Sequence, residues 1–426
     1  MHRSVVVVSI DGLSTVDLPY LESLPNFREL MGRGSCCREM RGIYPTQTYP
    51  LHASLITGCY PYMHGIHANT LFQPGRISPD WHWYRRFLRV PSLDDVARQQ
   101  GLKTACLLWP GAARSRNRYV IPEIKATRRG QSFPWLLFTS GSPLFMLHMG
   151  LRYRALLKSL KYVHLDNFTT AVASHLIRKR KTNLLLLHLL DLDGTRHRRG
   201  FQAPEISKVL EDQDHRLGTL LAAARDAGVF EDTTFILFGD HAYIDVHTRI
   251  RINAAFRKSG LLEFDTAGRL IRWEAWANCC EGSAQVGLRD PADPAVHSRL
   301  TALFAELQAV EGGVVETVYS KDRVRQIKIG DCIDYVLEAK PGCYFVPDIE
   351  GAVLAPAEES FRAVHGYHPD RPGYSSLFFA AGAGIRAGVE LKSLRIVDLG
   401  PTLAALLGLQ LPAAEGRVRS EILDFG

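Results

Sequence analysis

The chain has 426 residues, 46% of them hydrophobic and 22% charged, and its 51 Lys and Arg against 44 Asp and Glu give a formal net charge of +7. The composition excludes global disorder, and a length beyond the usual domain of about 100 to 200 residues predicts one large domain with an insertion, or two domains. The mild positive charge is compatible with general solubility or with attraction of an anionic substrate. The sequence shows no basic and aromatic motif of a known nucleic-acid-binding module, so no nucleic-acid partner is predicted.

The first apolar run, residues 5–10, is shorter than the hydrophobic region of a signal peptide and ends in Asp11. Eight cysteines are scattered along the chain without a C-x-x-C pair. In a chain of this length, such cysteines favour free thiols over a disulfide framework. We therefore expect a cytoplasmic, reducing location.

Short, continuously apolar runs alternate with amphipathic helical stretches along the first half of the chain. The strand-like runs are 5–10, 104–108, 183–190 and 234–238, and the helical stretches include 166–180 and 205–227. This alternation predicts an α/β sheet with buried parallel strands and helices on both faces. The residues that follow the strands directly are Asp11, Trp109, Asp191 or Asp193, and Asp240. Because sites in such sheets form at the carboxyl ends of strands, we expect one shared cleft.

Residues 131–151 carry no charged side chain, and arginines flank them at positions 128, 129, 152 and 154. Pro134, Gly141, Pro143 and Gly150 interrupt the segment, whereas a spanning helix needs about 20 mostly apolar residues in one piece. We expect a buried insertion or an interfacial flap near the site, which leaves peripheral membrane contact possible, and no stable span. A membrane-surface binding protein that uses 131–151 is the alternative from another functional class.

Residues 255–355 differ from the rest of the chain, with short strand-like runs and a helical stretch. We interpret them as a smaller α+β cap inserted into a core formed by 1–254 and 356–426.

Two pairs of residues have the spacing of metal ligands. Asp193 and His197 share a face if their segment is helical, and mixed carboxylate and imidazole ligands suit zinc or a similar transition metal. Asp240 and His241 follow an apolar strand, where adjacent side chains can bind one or two ions. Alone, each pair could equally be a turn-capping aspartate with a surface or buried histidine.

Thr48 lies two residues before Pro50, which is favoured in a first helical turn. Thr48 would then lie at a helix N-terminus, where amides and the helix dipole favour anions. A plain N-cap threonine is the alternative. Beside a metal, the hydroxyl could ionise and attack.

Several segments in order resemble the alkaline phosphatase superfamily, in particular its nucleotide pyrophosphatase/phosphodiesterase-like branch. The segments are Pro-Thr-Gln-Thr-Tyr-Pro at 45–50, Thr-Gly-Cys-Tyr-Pro at 57–61, His-Gly-Ile-His-Ala-Asn at 64–69, Trp-Pro-Gly at 109–111 and Asp-Leu-Gly-Pro-Thr-Leu at 398–403. The resemblance implies a three-layer α/β/α sandwich with a mostly parallel central sheet and the inserted cap.

The resemblance also implies two Zn²⁺ ions, with other divalent transition metals as possible occupants. The implied ligands are Asp193, His197 and His365 for one ion, and Asp11, Asp240 and His241, completed by Thr48, for the other. Thr48 would attack phosphorus and form a phospho-threonine intermediate. Asn69 and the Thr48 amide would donate to a non-bridging oxygen, and Tyr49 would pack on a base or another apolar leaving group.

Three positions depart from the branch's usual pattern and leave the substrate open: Leu51, Leu192 and Ala242. The leading hypothesis is a two-zinc hydrolase of phosphodiester or pyrophosphate bonds in small, nucleotide-like substrates. Phosphonoacetate hydrolysis and phosphomonoester hydrolysis are the alternatives on the same scaffold. Arg114, Arg116 and Arg118 could supply cations for phosphonoacetate, or simply form a solvated basic loop. The sequence does not indicate the oligomeric state.

Overall fold

The computed structural model describes residues 4–310 and 312–425. In this part of the chain the strands are β1 Ser4–Ile10, β2 Gly34–Arg41, β3 Thr104–Leu107, β4 Tyr119–Ile121, β5 Leu184–Leu189, β6 Thr233–Gly239, β7 Ile244–Asp245, β8 Thr248–Arg251, β9 Leu262–Phe264, β10 Leu270–Trp273, β11 Ala275–Cys279, β12 Ser283–Leu288, β13 Val315–Tyr319, β14 Tyr335–Ala339, β15 Cys343–Val346, β16 Leu354–Pro356, β17 Ala363–Val364, β18 Ser376–Gly382 and β19 Leu394–Arg395.

The α-helices of the same ranges are α1 Leu18–Leu21, α2 Pro25–Gly32, α3 Thr48–Thr57, α4 Pro61–His64, α5 Leu93–Gln99, α6 Phe133–Ser140, α7 Pro143–Arg152, α8 Tyr162–Arg178, α9 Asp191–Arg199, α10 Glu205–Asp226, α11 Ile252–Lys258, α12 Pro294–Ala309, α13 Lys321–Gln326 and α14 Leu399–Leu406.

Eight strands form the central sheet, in the order β19-β2-β18-β6-β1-β5-β3-β4. The strand β1 lies inside the sheet and pairs in parallel with β5 and β6. The pairs β3–β5, β3–β4 and β19–β2 are also parallel, whereas β18 runs antiparallel to its neighbours β2 and β6. The predicted mostly parallel α/β sheet is confirmed.

Both faces of this sheet are buried beneath helices. Along β1, Val6 and Val8 pack into one hydrophobic cluster and Val5 and Val7 into another, because successive side chains of a strand point to opposite faces. The first cluster includes residues of α8 and α10, and the second includes residues of α3 and α14. Burial on both sides explains why these strands are apolar at nearly every position.

A smaller unit has its own core around the antiparallel sheet β11-β12-β14-β13 and the helix α12. The same core also takes in Ala242, Ile250 of β8 and Tyr374, which lie outside 255–355. The small sheet β15-β8-β16 joins these segments. The division of the chain at 255 and 355 therefore stays a prediction.

The uncharged segment 131–151 forms two short helices, α6 and α7, with a break between them at Gly141 and Ser142. Among the described residues, every helix is too short or too polar to span a bilayer.

Candidate metal centre

The carboxyl ends of β1, β5 and β6 meet at one edge of the central sheet, because these strands are parallel and adjacent. Asp11 follows β1, Asp193 lies in the first turn of α9 just after β5, and Asp240 follows β6. The strand order therefore brings together residues that are far apart in sequence.

Thr48 is the first residue of α3, after Gln47 in an extended conformation, and its side chain is almost fully buried. Asn69 is fixed beside this first turn by two hydrogen bonds. The Tyr49 amide donates to Asn69 Oδ1 at 2.9 Å, and the Asn69 amide donates to Gln47 Oε1 at 2.9 Å. These bonds leave the Asn69 side-chain NH₂ as a donor for a ligand at the helix N-terminus.

One candidate ligand cluster contains Asp193, His197 and His365, whose ligand atoms lie within 4.8 Å of one another. His197 Nδ1 lies 2.8 Å from the Ala363 carbonyl oxygen, and His365 Nδ1 lies 3.0 Å from that of Thr46. A protonated Nδ1 that donates to a carbonyl directs the Nε2 lone pair of each ring inward, as in metal-binding histidines.

The second cluster contains Asp11, Asp240 and His241, and all three are buried. His241 Nε2 lies 3.2 Å from Asp11 Oδ1 and 3.4 Å from Asp240 Oδ2. These two carboxylate oxygens are buried without a hydrogen-bond partner, although most buried polar atoms have one. Unpaired carboxylate oxygens around an imidazole nitrogen form a donor set that fits a divalent transition metal.

The two clusters adjoin each other, and Thr48 touches the second. The rings of His241 and His365 stack with their centroids 3.9 Å apart and an interplanar angle of 19°. Thr48 Oγ1 lies 3.4 Å from His241 Nε2. The structure therefore brings together all seven residues that the sequence predicts as metal ligands, and their roles stay predictions.

The pKa shifts in the two clusters indicate that their buried carboxylates are not fully balanced by charged histidines. Burial, together with Asp193 and Asp240, raises the pKa of Asp11 well above its usual range. Burial lowers the pKa of His241 to about 3 and that of His365 to about 4. Burial also opposes the charged form of His197, yet the Asp193 carboxylate raises the pKa of that ring to about 9. Carboxylates in such a setting need a positive charge, and a bound cation would supply it.

Three side chains that sequence patterns do not single out support the ligands. His188 Nε2 lies 3.2 Å from Asp11 Oδ2, and the Tyr243 hydroxyl donates to Asp193 Oδ1. The buried Arg196 guanidinium donates to the Gly12 carbonyl and to Asp17, which fixes the turn after β1. His188 interrupts the apolar run of β5, and that interruption is the one local signal that could have identified it.

The predicted contact between Tyr49 and a leaving group stays a prediction. The Tyr49 ring is only 2% exposed, within a cluster that includes Ala53 and Ile66, and Trp81 meets it edge-on at 5.5 Å between centroids. Trp81 is more exposed and, with Lys125, lines a pocket of about 220 Å³. Trp81 is therefore the accessible ring beside the site.

Proteins that match this chain are named as phosphodiesterases or nucleotide pyrophosphatases. The model of the family "Type I phosphodiesterase / nucleotide pyrophosphatase" matches residues 5–368. Human ectonucleotide pyrophosphatase/phosphodiesterase family member 1 is 24% identical over 229 residues, which are 51% of this chain and 21% of that protein. Venom phosphodiesterase 2 of Crotalus adamanteus is 25% identical over 249 residues, 57% of this chain and 27% of that protein. The chain thus spans about a quarter of the length of these curated relatives.

Solved structures share the fold over the whole chain. Murine ectonucleotide pyrophosphatase/phosphodiesterase 5, an inactive variant in complex with AMP, matches with a TM-score of 0.69 at 20% identity and covers 100% of both chains. The human protein 5 structure matches with a TM-score of 0.68 at 19% identity, covering 99% of this chain and 100% of that one. The alkaline-phosphatase-like fold is thereby confirmed. The match of the family model over most of the sequence shows that this chain belongs to the type I phosphodiesterase / nucleotide pyrophosphatase family.

Proposed function

We propose that the chain is a two-metal hydrolase, with zinc as the metal, that cleaves phosphodiester or pyrophosphate bonds of nucleotide-like substrates through Thr48. One observation carries this proposal: the Thr48 hydroxyl lies at the N-terminus of α3, 3.4 Å from His241 Nε2, where two three-ligand clusters adjoin. Asp193, His197 and His365 would hold one ion, and Asp11, Asp240 and His241 the other. When bound, such ions supply positive charge to the phosphoryl oxygens and favour the ionised hydroxyl.

The side chains of the site suit a double displacement. Thr48 Oγ1 attacks phosphorus, a threonine–phosphorus ester forms, and the bond from phosphorus to the leaving oxygen breaks. Water then attacks the same phosphorus, and the Thr48 hydroxyl is released. The Asn69 NH₂ and the Thr48 amide donate to a non-bridging oxygen as negative charge develops there. For a diester, the threonine-bound intermediate retains the second ester group.

The proposed nucleotide preference draws on the relatives and on the pocket beside Trp81. The relatives are named as nucleotide pyrophosphatases or phosphodiesterases, and one solved neighbour holds AMP. Lys125 Nζ lies 3.8 Å from the centre of the Trp81 ring, so a flat aromatic group and a cation stand together at this pocket. Such a pair suits a base and a phosphate of a small nucleotide.

The arginines after Trp109 do not favour phosphonoacetate. Arg114, Arg116 and Arg118 are exposed, and Arg114 lies over the ring of Tyr84 while Arg118 lies over that of Tyr119. This arrangement matches a solvated basic loop.

A reducing compartment such as the cytoplasm is part of the proposal. All eight cysteines lie in the described part of the chain as free thiols, which supports that location.

A side-by-side rate assay of the zinc-loaded protein tests the proposed reaction. The substrates are bis-p-nitrophenyl phosphate, p-nitrophenyl thymidine monophosphate and p-nitrophenyl phosphate, which are followed by the release of p-nitrophenol, and phosphonoacetate, which is followed by the release of inorganic phosphate. We expect the nucleotide diester to have the highest kcat/KM. Preference for the monoester or for phosphonoacetate would contradict the proposed substrate class, and no cleavage of any diester would contradict the proposed reaction.

A further inference from the structure

A cysteine and a histidine meet at the surface, away from the predicted metal ligands. All eight cysteines lie in the described part of the chain, and Cys332, in the turn between α13 and β14, is the exposed one among them. Ile329 and Ile333, on either side of it in sequence, are fully buried, and the Asp334 amide donates to the Val286 carbonyl oxygen at 2.8 Å. These contacts fix the turn and therefore the position of the Cys332 thiol.

The thiol contacts a histidine from a distant segment of the chain. Cys332 Sγ lies 3.4 Å from His67 Nε2, and His67 Nδ1 lies 3.0 Å from Oε1 of the buried Gln285. The Gln285 side-chain NH₂ donates to the His67 carbonyl oxygen, so its oxygen faces Nδ1. Nδ1 must then carry the proton of the neutral ring, and the Nε2 lone pair is directed at the thiol.

These three side chains form the arrangement of a nucleophile, a base and a group that orients the base. A proton can pass from Cys332 to His67 Nε2, which leaves a thiolate beside an imidazolium. Burial opposes both charged forms, yet Cys332 raises the pKa of the His67 ring, and His67 together with Arg89 lowers the pKa of the Cys332 thiol. The thiolate is the form of cysteine that attacks other sulfur atoms.

A basic cavity of about 440 Å³ adjoins this pair, because His67 is part of its lining. The exposed Arg86 and Arg89 belong to the same lining, in which the described residues include neither Asp nor Glu. The Arg89 side chain lies across Gly65, where an added Cβ would lie 2.7 Å from its Nε. Two arginines in a cavity without an acidic neighbour favour an anionic ligand.

We propose that Cys332 is a site of mixed-disulfide formation with small anionic disulfides, with His67 as the base and with Arg86 and Arg89 as the anion-binding groups. The thiolate attacks one sulfur of the disulfide, a bond forms between Cys332 Sγ and that sulfur, and the sulfur–sulfur bond of the ligand breaks. The other sulfur leaves and takes the proton that His67 received from Cys332. Cys332 is oxidised and the leaving sulfur is reduced, so the disulfide is the only other reactant.

This site is separate from the predicted metal ligands and does not depend on the reaction proposed at Thr48. A disulfide series of similar size and different charge tests it: dithiodipropionate is anionic, bis(hydroxyethyl) disulfide is neutral and cystamine is cationic. Intact-mass spectrometry of the zinc-loaded protein at neutral pH gives the rates, and peptide mapping locates the modified cysteine. Each rate is divided by that of N-acetylcysteine amide with the same disulfide, which removes differences between the leaving thiols.

We expect the normalised rate to be at least about tenfold higher for dithiodipropionate than for cystamine, with Cys332 as the modified residue. Equal normalised rates, or modification of another cysteine instead, would overturn the proposal.

An arginine double variant makes the test specific for the cavity. Arg86→Gln/Arg89→Gln should bring the normalised rates for dithiodipropionate and cystamine to within about twofold of each other, because the attracting charge is gone. Arg116→Gln/Arg129→Gln is the matched control, since both arginines are exposed and lie outside the lining of the cavity. An anion preference that survives in Arg86→Gln/Arg89→Gln would overturn the assignment of the cavity.

A histidine variant tests the base. His67→Asn keeps an amide near the position of Nδ1 and removes Nε2, so the normalised rate with the neutral disulfide should fall by at least about threefold. His215→Asn is the control, because His215 is exposed in α10. Circular dichroism and Tm establish that each variant is folded. A folded His67→Asn protein that reacts at the parent rate would overturn the role of His67, and the arginine variant tests the site without any change at this ring.

Discussion

The metal centre and the α6–α7 region lie at the same edge of the central sheet but are built in opposite ways. The metal centre is polar and buried, and hydrogen bonds to backbone atoms orient its histidines. The α6–α7 region is apolar and largely exposed, and it lies in the connection between β4 and β5. The contrast shows that the sheet edge positions the candidate ligands, whereas the connection between β4 and β5 shapes the surface beside them.

The largest effect is expected from removal of the proposed nucleophile, Thr48, which belongs to the metal centre and not to the α6–α7 region. Thr48→Ala should lower diester hydrolysis by at least about a thousandfold while both clusters still bind zinc, because the substitution removes only the attacking oxygen. Thr219→Ala is the control, since Thr219 hydrogen-bonds only within α10. Rate assays and zinc content by elemental analysis check the prediction. An unchanged rate with bound zinc would contradict a reaction through Thr48.

Metal removal should destabilise the metal centre and leave the α6–α7 region, which contributes no candidate ligand, unaffected. Without a cation, the buried oxygens Asp11 Oδ1 and Asp240 Oδ2 have no hydrogen-bond partner, so chelation should abolish hydrolysis and lower Tm by about 5 °C or more. Thermal unfolding with and without chelator, followed by zinc reloading, measures the effect. An identical Tm in both conditions would argue against metal sites at these carboxylates.

Substitution of a supporting residue should weaken metal binding without removing a ligand. His188 lies 3.2 Å from Asp11 Oδ2 and is fully buried, so His188→Phe should lower zinc affinity by about 10- to 100-fold. Competition with a chromophoric chelator gives the affinity, and His175→Phe, on the outer part of α8, serves as control. An affinity equal to that of the parent protein would mean that His188 does not position Asp11.

The smallest effect is expected from the exposed side of α6 and α7. Leu144→Asn/Leu147→Asn should change hydrolysis of p-nitrophenyl thymidine monophosphate by less than about twofold and the free energy of unfolding by less than about 0.5 kcal/mol per site, because both leucines are exposed. Soluble-substrate kinetics and denaturant titration measure these quantities. A large loss of soluble diester hydrolysis would place α6 and α7 within the catalytic machinery and remove the contrast between the regions.

Sequence patterns predict the central sheet for a physical reason. Strands buried on both faces are continuously apolar, so the run 5–10 becomes β1 Ser4–Ile10 and the run 234–238 becomes β6 Thr233–Gly239. Asp193 and His197 show the helical spacing of i and i+4, and α9 carries both.

Other features depend on contacts between distant segments and leave no local spacing to detect. His188 meets Asp11 across two paired strands, and Arg196 meets Gly12 and Asp17 across more than 175 positions. The apolar character of 131–151 is visible in the sequence, but the cavity of about 560 Å³ that α6 and α7 line together with α8 and the residues after β3 and β5 depends on contacts between distant segments. The burial of Tyr49 is equally invisible in the local sequence, since it results from packing with Trp83 and Ile124, which lie far along the chain.

The stereochemical course at phosphorus tests the central claim most directly. A diester with a chiral phosphorothioate, hydrolysed by the zinc-loaded protein in ¹⁸O-labelled water, reports whether the configuration at phosphorus is retained or inverted. Two successive in-line displacements, first by Thr48 Oγ1 and then by water, predict net retention. Net inversion would show a single attack by water and would contradict the threonine-bound intermediate.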